Sequence, residues 1–473
     1  MKFNQQKTKI VATIGPASDN YETLKKLIEN GVTTIRANFS HGNPDLHVHK
    51  FELTRQISRE LDRPISLMLD TKGPEIRIGK MLDDKVLIPA NHILTIKTDE
   101  NSYKNMVGDE NTISVSYRMD LDVKEGNKIL LDDGKLVTVV EEVRPTEIKV
   151  KTINSHYLKT NKRVNIPGVD FSLPFLSPKD INDITWGAKY KVDYIAASFV
   201  NSAKNVKEVR EILNANGGEH IQIISKIESQ TAINNIDEII EASDGIMIAR
   251  GDLGLEIPYY DVPYYEKKII RKCRLSGKEV IVATQMLDSM ENSPLPTRAE
   301  VTDVYYAVEL GADATMLSGE TASGKYPVEA VRTMSKIAKR AEKEYYNEMF
   351  YNKQIEKVAD HPTSRMVIAY EVAKLLQKGE YKFAIVLSHT GKLLKEVAKY
   401  RPNSFIIGVV SSDKLVWSFG ITSSVFCEKH SEAIRGLIKN NHAAGRKVLE
   451  NYGIKKGDKF IVVDSLNITT HEF

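Results

Sequence analysis

Six short segments of this 473-residue chain place a charged or hydroxyl-bearing residue directly after an apolar run. Arg36-Ala37-Asn38-Phe39-Ser40-His41 follows TTI, Asp70-Thr71-Lys72 follows ISLML, and Lys226-Ile227-Glu228 follows IQIIS. Arg250-Gly251-Asp252 follows GIMIA, while Thr284 and Ser318 close EVIVA and ATML. Two carboxylates, Glu228 and Asp252, with a lysine and an arginine nearby suit a hard divalent cation bridging to an anionic substrate. Taken singly, each residue has a plainer reading. A lone Lys or Arg at a strand end is usually solvated or ion-paired, and Asp252 in GDLG fits a turn. Asn38 and Ser40 fit helix caps. Only their convergence on one side of one fold makes a site.

Other candidates carry less. Gly319-Glu-Thr-Ala-Ser-Gly-Lys325 has the spacing of a phosphate loop, but Tyr326 stands where the magnesium-binding Ser or Thr belongs. Pro327 then begins a helix. Asp83-Asp84 and Asp132-Asp133 read as solvated turns. Of the histidines, only His41 lies among the strand-end candidates, and the others lack metal-ligand spacing.

The elements that must position these residues are strands alternating with helices. KIVATIG (9–15), TTIRANF (33–39) and ISLMLD (65–70) are strand-like, separated by stretches with apolar residues at helical spacing. From about Arg77 to Leu173 the pattern shortens to segments such as HILTIK, NKILL and KLVTVVEEV, with no convincing helix. Asp132-Asp133-Gly134 between two such runs signals a hairpin. After Ser177-Pro178 the alternation resumes, with strand-like runs ending at Ser198, Ile227, Arg250, Gln285 and Gly319. Three strands before the insertion and five after it predict a (β/α)8 TIM barrel, with an all-β domain inserted after strand 3. A doubly wound open sheet is the alternative. From about Lys343 a polar helix leads into FAIVLS, FIIGVVS, SVFCE and FIVVDS, the strands of a C-terminal open-sheet α/β domain. The expected divisions are 1–76 and 174–344 for the barrel, 77–173 for the insertion and 345–473 for the last domain.

Composition bounds what such a protein does. With 41% hydrophobic and 27% charged residues the chain is globular, ruling out collagen-like, disordered and membrane classes. Lys plus Arg number 66 against 63 Asp plus Glu, too even a balance for nucleic acid or an anionic membrane surface. Two cysteines cannot build a disulfide framework or a four-ligand zinc site. A cytoplasmic setting is expected, since the N-terminus lacks a signal-peptide pattern and no run reaches about 20 apolar residues.

Read together, the strand-end motifs resemble the pyruvate kinase family. TKIVATIGPAS (8–18), RANFSHG (36–42), LDTKGPEIR (69–77), ISKIES (224–229), SDGIMIARGDLGLEIP (243–258), VATQMLDSM (282–290), PTRAEVTDV (296–304) and LSGETASGKYPVEAV (317–331) run in family order. The likeness covers most of residues 7–345 and weakens beyond. It implies a mobile β-domain lid, a homotetramer, and a phosphotransferase converting phosphoenolpyruvate and ADP to pyruvate and ATP. Carried over, Arg36, Lys226, Gly251, Asp252 and Thr284 would hold phosphoenolpyruvate, with Arg36, Lys226 and Thr284 catalytic. Glu228 and Asp252 would ligate Mg²⁺ (or Mn²⁺). Asn38, Ser40, Asp70 and Thr71 would bind K⁺. Asn38, Phe39, Ser40, His41, Arg77 and Lys162 would meet the nucleotide. Glu75 is the residue that accompanies K⁺ dependence in the family, where members with Lys there carry their own cation. Thr284 with ordered water would protonate the enolate, with Ser318 behind it.

The sequence departs from the family at Ala37, where Leu is common, and at Arg163, where Gly follows the lysine. It also departs at the loop Ser388-His389-Thr390-Gly391-Lys392-Leu393, where Leu393 replaces a hydroxyl. FIVVDS passes almost directly into LNITTHEF, without the glycine-rich loop that closes over a sugar phosphate in relatives. Two other readings stand beside this one: a Mg²⁺-dependent barrel lyase acting on a 2-oxo or enol acid, and a non-catalytic relative. Intact Lys226, Glu228 and Asp252 argue against the second.

Overall fold

A computed structural model describes residues 5–169, 171–345, 364–464 and 467–473. Eight parallel strands close into a barrel: Lys9–Thr13, Val32–Asn38, Ser66–Asp70, Tyr194–Ala197, Gln222–Ile227, Gly245–Ala249, Glu279–Ala283 and Ala314–Leu317. The first pairs with the last through Lys9 and Ala314, which completes the ring. Both faces of each strand are covered, so the apolar runs are nearly unbroken. Val11, Met68, Tyr194, Ile224, Met247 and Ile281 point inward and fill the barrel. Their neighbours Ile10, Ala12, Ile223 and Ile248 point outward into the shared core under the helices.

Local chemistry starts and stops those helices. Asn20 accepts the Thr23 amide before Tyr21–Glu29, whose Leu24, Leu27 and Ile28 are buried at the predicted spacing. Ser177 and Asp180 form a capping box before Pro178–Tyr190, and Thr297 with Glu300 does the same before Arg298–Glu309. These caps fix where the chain turns from a strand end into a helix, and so where the strand-end side chains project.

Between the third and fourth barrel strands lies a separate β-domain with a seven-stranded sheet and its own core, including Ile96, Ile129, Leu136 and Val150. The Asp132-Asp133-Gly134 hairpin is present, joining the antiparallel pair Lys128–Leu131 and Leu136–Arg144. All three turn residues have positive φ. The expectation of no helix in this insertion is corrected by Glu100–Asn105. Asp99 caps that helix through the Ser102 amide, and none of its residues is buried, so no apolar periodicity marks it.

The C-terminal sheet has five strands in the order Val425–Lys429, Phe405–Val410, Tyr381–Leu387, Lys459–Val463 and Ile468–Glu472. The last strand is antiparallel and lacks an apolar run, which is why only four were read. Lys343 belongs to the helix Pro327–Tyr345, which already begins at Pro327; the polar segment expected after it falls on residues 346–363, outside the described residues.

This sheet is tied to the bottom of the barrel. Ile421 joins the barrel's interior cluster, and Arg401 pairs with the buried Asp313. Gly420 passes so close that an added Cβ would lie 2.1 Å from Ser66 Oγ. Only glycine admits that approach.

Candidate active site

The C-terminal ends of the strands converge on a cavity of about 270 Å³ at the face where TIM-barrel sites form. Arg36, Asn38, Ser40, His41, Lys226, Glu228 and Asp252 line it from the barrel. Arg77, Asp133, Lys162 and Arg163 close it from the β-domain. Sequence-predicted residues from strands far apart in the chain are thus brought together.

At its floor is a buried charge network. Asp70 Oδ2 accepts Arg36 Nε at 2.6 Å, and its Oδ1 accepts Lys226 Nζ at 3.1 Å. Lys226 Nζ also lies 2.9 Å from Glu228 Oε1 and donates to Ser198 Oγ at 2.7 Å. Burial alone would lower the Lys226 pKa, but Asp70 and Glu228 outweigh it and hold the ammonium charged well above its ordinary range. Burial would likewise raise the Asp70 pKa, and Arg36 and Lys226 hold it below the usual carboxylate range instead. For Glu228 burial wins: with the Asp252 charge beside it, its carboxyl is pushed up to about 7 against the pull of Lys226. Ser198 was not singled out from the sequence. Its signal was a lone hydroxyl closing YIAA, weak among charged neighbours.

The remaining predicted residues sort by contact. Asn38 pairs with Asp70 across adjacent strands, and its Oδ1 accepts the Ser40 amide at 3.1 Å. Thr71 is buried, its Oγ1 accepting the Ser198 amide at 3.0 Å. Phe39 is fully buried, its ring stacked on His47 at 4.2 Å and outside the cavity lining. Thr284 Oγ1 accepts the Gly251 amide at 2.7 Å and donates to Ala283 O at 2.6 Å. Its single proton is therefore engaged with the Ala283 carbonyl. The Ser318 amide donates to Glu320 Oε2 at 2.7 Å, and the residue lies outside the cavity lining.

The β-domain contributes more than expected. Asp132, read as a solvated turn, is buried and accepts His156 Nε2 at 2.8 Å, with Lys162 Nζ 3.1 Å from its other oxygen. Asp133 lines the cavity. Glu75 pairs with Arg77 at 2.6 Å and with Arg163 at 3.3 Å, so its charge is matched within the fold. Ala37 is fully buried in the barrel core, consistent with a packing change.

Known proteins resemble both the sequence and this geometry. The family model described as pyruvate kinase, barrel domain, matches residues 5–331. A pyruvate kinase of Clostridium acetobutylicum is 41% identical over 465 residues, spanning 97% of this chain and 95% of the relative. This chain belongs to the pyruvate kinase family. A Mycoplasma pneumoniae pyruvate kinase is 46% identical over 366 residues, covering 72% of each chain. A solved pyruvate kinase from Cryptosporidium parvum superposes with a TM-score of 0.90 at 35% identity, covering 99% of this chain and 96% of its own. Membership makes the protein a phosphotransferase, and the cavity described above lies within the matched barrel and the domain it carries.

Proposed function

We propose that the protein transfers the phosphoryl group of phosphoenolpyruvate to ADP, giving pyruvate and ATP. The observation that carries this reading is the Lys226 ammonium, fixed between Asp70 and Glu228 and facing the cavity beside Arg36. Phosphoryl transfer needs positioning and charge neutralisation more than covalent help. Arg36 spends Nε on Asp70 and Nη1 on Thr13 Oγ1, which orients the guanidinium as an anion clamp. Lys226 is held charged and rigid, and a positive charge that need not reorganise stabilises the enolate oxygen left by the departing phosphoryl group. Gly251, its amide held by Thr284 Oγ1, follows Arg250 at the next strand end. Arg77 and Lys162, with Asn38, Ser40 and His41, border the side open to a nucleotide.

Glu228 and Asp252 are the residues that would hold Mg²⁺ or Mn²⁺. They sit at the ends of adjacent strands and offer only oxygen donors. Among the described residues no three His, Cys, Asp or Glu side chains form a metal cage. Two carboxylates completed by substrate and water match the habit of Mg²⁺. Such a cation supplies Lewis-acid stabilisation of charge on phosphoryl and carboxylate oxygens. Asn38, Ser40, Asp70 and Thr71 offer oxygen donors on neighbouring strand ends for K⁺. The homotetramer and cytoplasmic setting follow from family resemblance; among the described residues no helix is long and apolar enough to cross a membrane.

Release of pyruvate from phosphoenolpyruvate, with and without ADP, tests the reading. ADP-dependent release that falls at least about a thousandfold in Lys226→Met is expected. A lyase or a non-catalytic relative would show no ADP-dependent release.

A further inference from the structure

Arg163 reaches the site from the β-domain strand Arg163–Asn165, which pairs with Ile76–Arg77. Its Nη1 donates to Asp252 Oδ1 at 2.6 Å, and its guanidinium carbon lies 5.7 Å from the centroid of the Phe199 ring. Two residues along the same strand, Asn165 Nδ2 donates to Glu256 Oε1 at 3.1 Å. Positions two apart share one face of a strand, and positions four apart share one face of a helix. Arg163 and Asn165 therefore grip Asp252 and Glu256 on the helix Arg250–Glu256 as a two-point clamp between the domains. The Arg163 and Asp252 side chains are only 21% and 19% exposed, so solvent screens their pairing less than it would a surface pair.

One end of that clamp is a carboxylate assigned above to the divalent cation. We propose that Arg163 and the divalent cation are alternative partners of Asp252: the guanidinium docks the β-domain on the barrel through this carboxylate, and a cation binding there displaces it. The proposal rests on the Glu228–Asp252 metal reading. A guanidinium and a metal ion on one carboxylate oxygen repel each other, and both carry the charge that Asp252 attracts. Displacement leaves Arg163 a second partner, because Glu75 already lies 3.3 Å from its Nε. It also has room: a second cavity of about 320 Å³ lies against Arg163, Glu75, Phe199 and Glu256. The cation thus binds at the expense of a domain contact, and its apparent affinity is reduced by the fraction of molecules in which Arg163 holds Asp252.

The test titrates the full-length protein with Mn²⁺ alone, following free Mn²⁺ by electron paramagnetic resonance, in four forms. Asp252→Asn should weaken Mn²⁺ binding about tenfold or more. Arg163→Gln should tighten it by roughly fivefold, the competing partner being gone. Arg77→Gln removes another cation that lines the same cavity and pairs with Glu75, not with Asp252, and should shift the affinity less than about twofold. Hydrogen exchange gives a readout on the unaltered protein: Mn²⁺ should speed exchange in the strand 163–165 and its neighbour 128–131. In Arg163→Gln that exchange should be fast already and insensitive to Mn²⁺. If Asp252→Asn weakens binding while Arg163→Gln leaves it unchanged, the competition is wrong and the metal site stands. Equal tightening in Arg77→Gln would reduce the effect to general charge and overturn the proposal. Unchanged binding in Asp252→Asn would remove the metal reading and this proposal with it.

Discussion

Glu228 Oε1 lies 2.9 Å from Lys226 Nζ while its Oε2 accepts the Phe199 amide at 2.6 Å, so this one carboxylate is held at both oxygens deep in the barrel mouth. Phe199 accomplishes this from a positive-φ backbone conformation uncommon for a bulky residue. Such strain is tolerated where the surroundings over-determine it, commonly at functional sites.

Glu228→Gln and Asp252→Asn each keep shape and remove charge from the proposed metal site. Each should lower turnover on the order of a hundredfold or more, a few kcal/mol of transition-state stabilisation. Rates measured at limiting Mg²⁺ check this. Near-normal turnover in either variant would show that the carboxylate does not hold the metal.

Lys9 gives a pH prediction away from the site. Its Nζ donates to Val425 O at 2.6 Å and lies 3.4 Å from the centroid of Phe426, at the seam between the barrel and the C-terminal sheet. Burial lowers its pKa from 10.5 to about 7, with only weak opposition from Cys427 and Glu342. A cation–π contact favours the charged form by about 2 kcal/mol when desolvated, less than burying an unpaired ammonium costs. The unfolded chain keeps this proton up to 10.5, whereas the native state releases it near 7. Between those values the unfolded state binds more protons, so this group's contribution to stability rises with pH across the window and is smallest below 7. Lys9→Met should therefore melt higher than the unaltered protein at pH 6, and the gap should close by pH 10. Thermal melts across that range decide it; a gap independent of pH would mean that Lys9 stays charged in the fold.

How much of this was legible follows from sequence distance. The barrel strands showed themselves as short apolar runs because both faces are buried, and their polar ends marked the site before any geometry was known. The Arg163–Asp252 contact joins residues 89 apart through a strand of an inserted domain, and no local pattern encodes it. Asp132 looked like an exposed turn because its partners, His156 and Lys162, come from later in the chain. Thr284 closes a barrel strand as read, and its hydroxyl contacts Gly251 and Ala283, which the sequence did not indicate. The edge strand Ile468–Glu472 escaped notice because mostly exposed residues leave no hydrophobic signature.

K⁺ should activate the enzyme. Asn38, Ser40, Asp70 and Thr71 offer it oxygen donors, and Glu75 lines the same cavity, paired with Arg77 and Arg163. Glu75→Lys places a fixed cation there and should relax the K⁺ requirement. Initial rates in buffers free of K⁺ and Na⁺ check both statements, and full activity of the unaltered protein there would contradict them.

Fructose 1,6-bisphosphate should not activate strongly. The C-terminal cavity, about 290 Å³, is lined by Ser388, Thr390, Arg435 and Lys439, but also by Glu432 and Asp464. Arg435 is already paired with Glu432, and Lys439 lies 3.3 Å from Asp464. Leu393 is buried in the domain core, and only four residues separate Val463 from its antiparallel partner Ile468, too few for a closing loop. The predicted second-loop deletion begins at Ser465 and Leu466, which lie outside the described residues. Phosphoenolpyruvate saturation curves with and without the bisphosphate should superimpose within about twofold, since exposed charge pairing contributes little. A several-fold leftward shift would refute this.

Transfer of the phosphoryl group from phosphoenolpyruvate to ADP in the cavity around Lys226 ties the formation of ATP to that of pyruvate. Measuring ATP and pyruvate together in one incubation with Mg²⁺ and K⁺ tests it most directly. One ATP should appear for each pyruvate, with neither formed when ADP is left out. Pyruvate without matching ATP, or no pyruvate at all, would contradict the account.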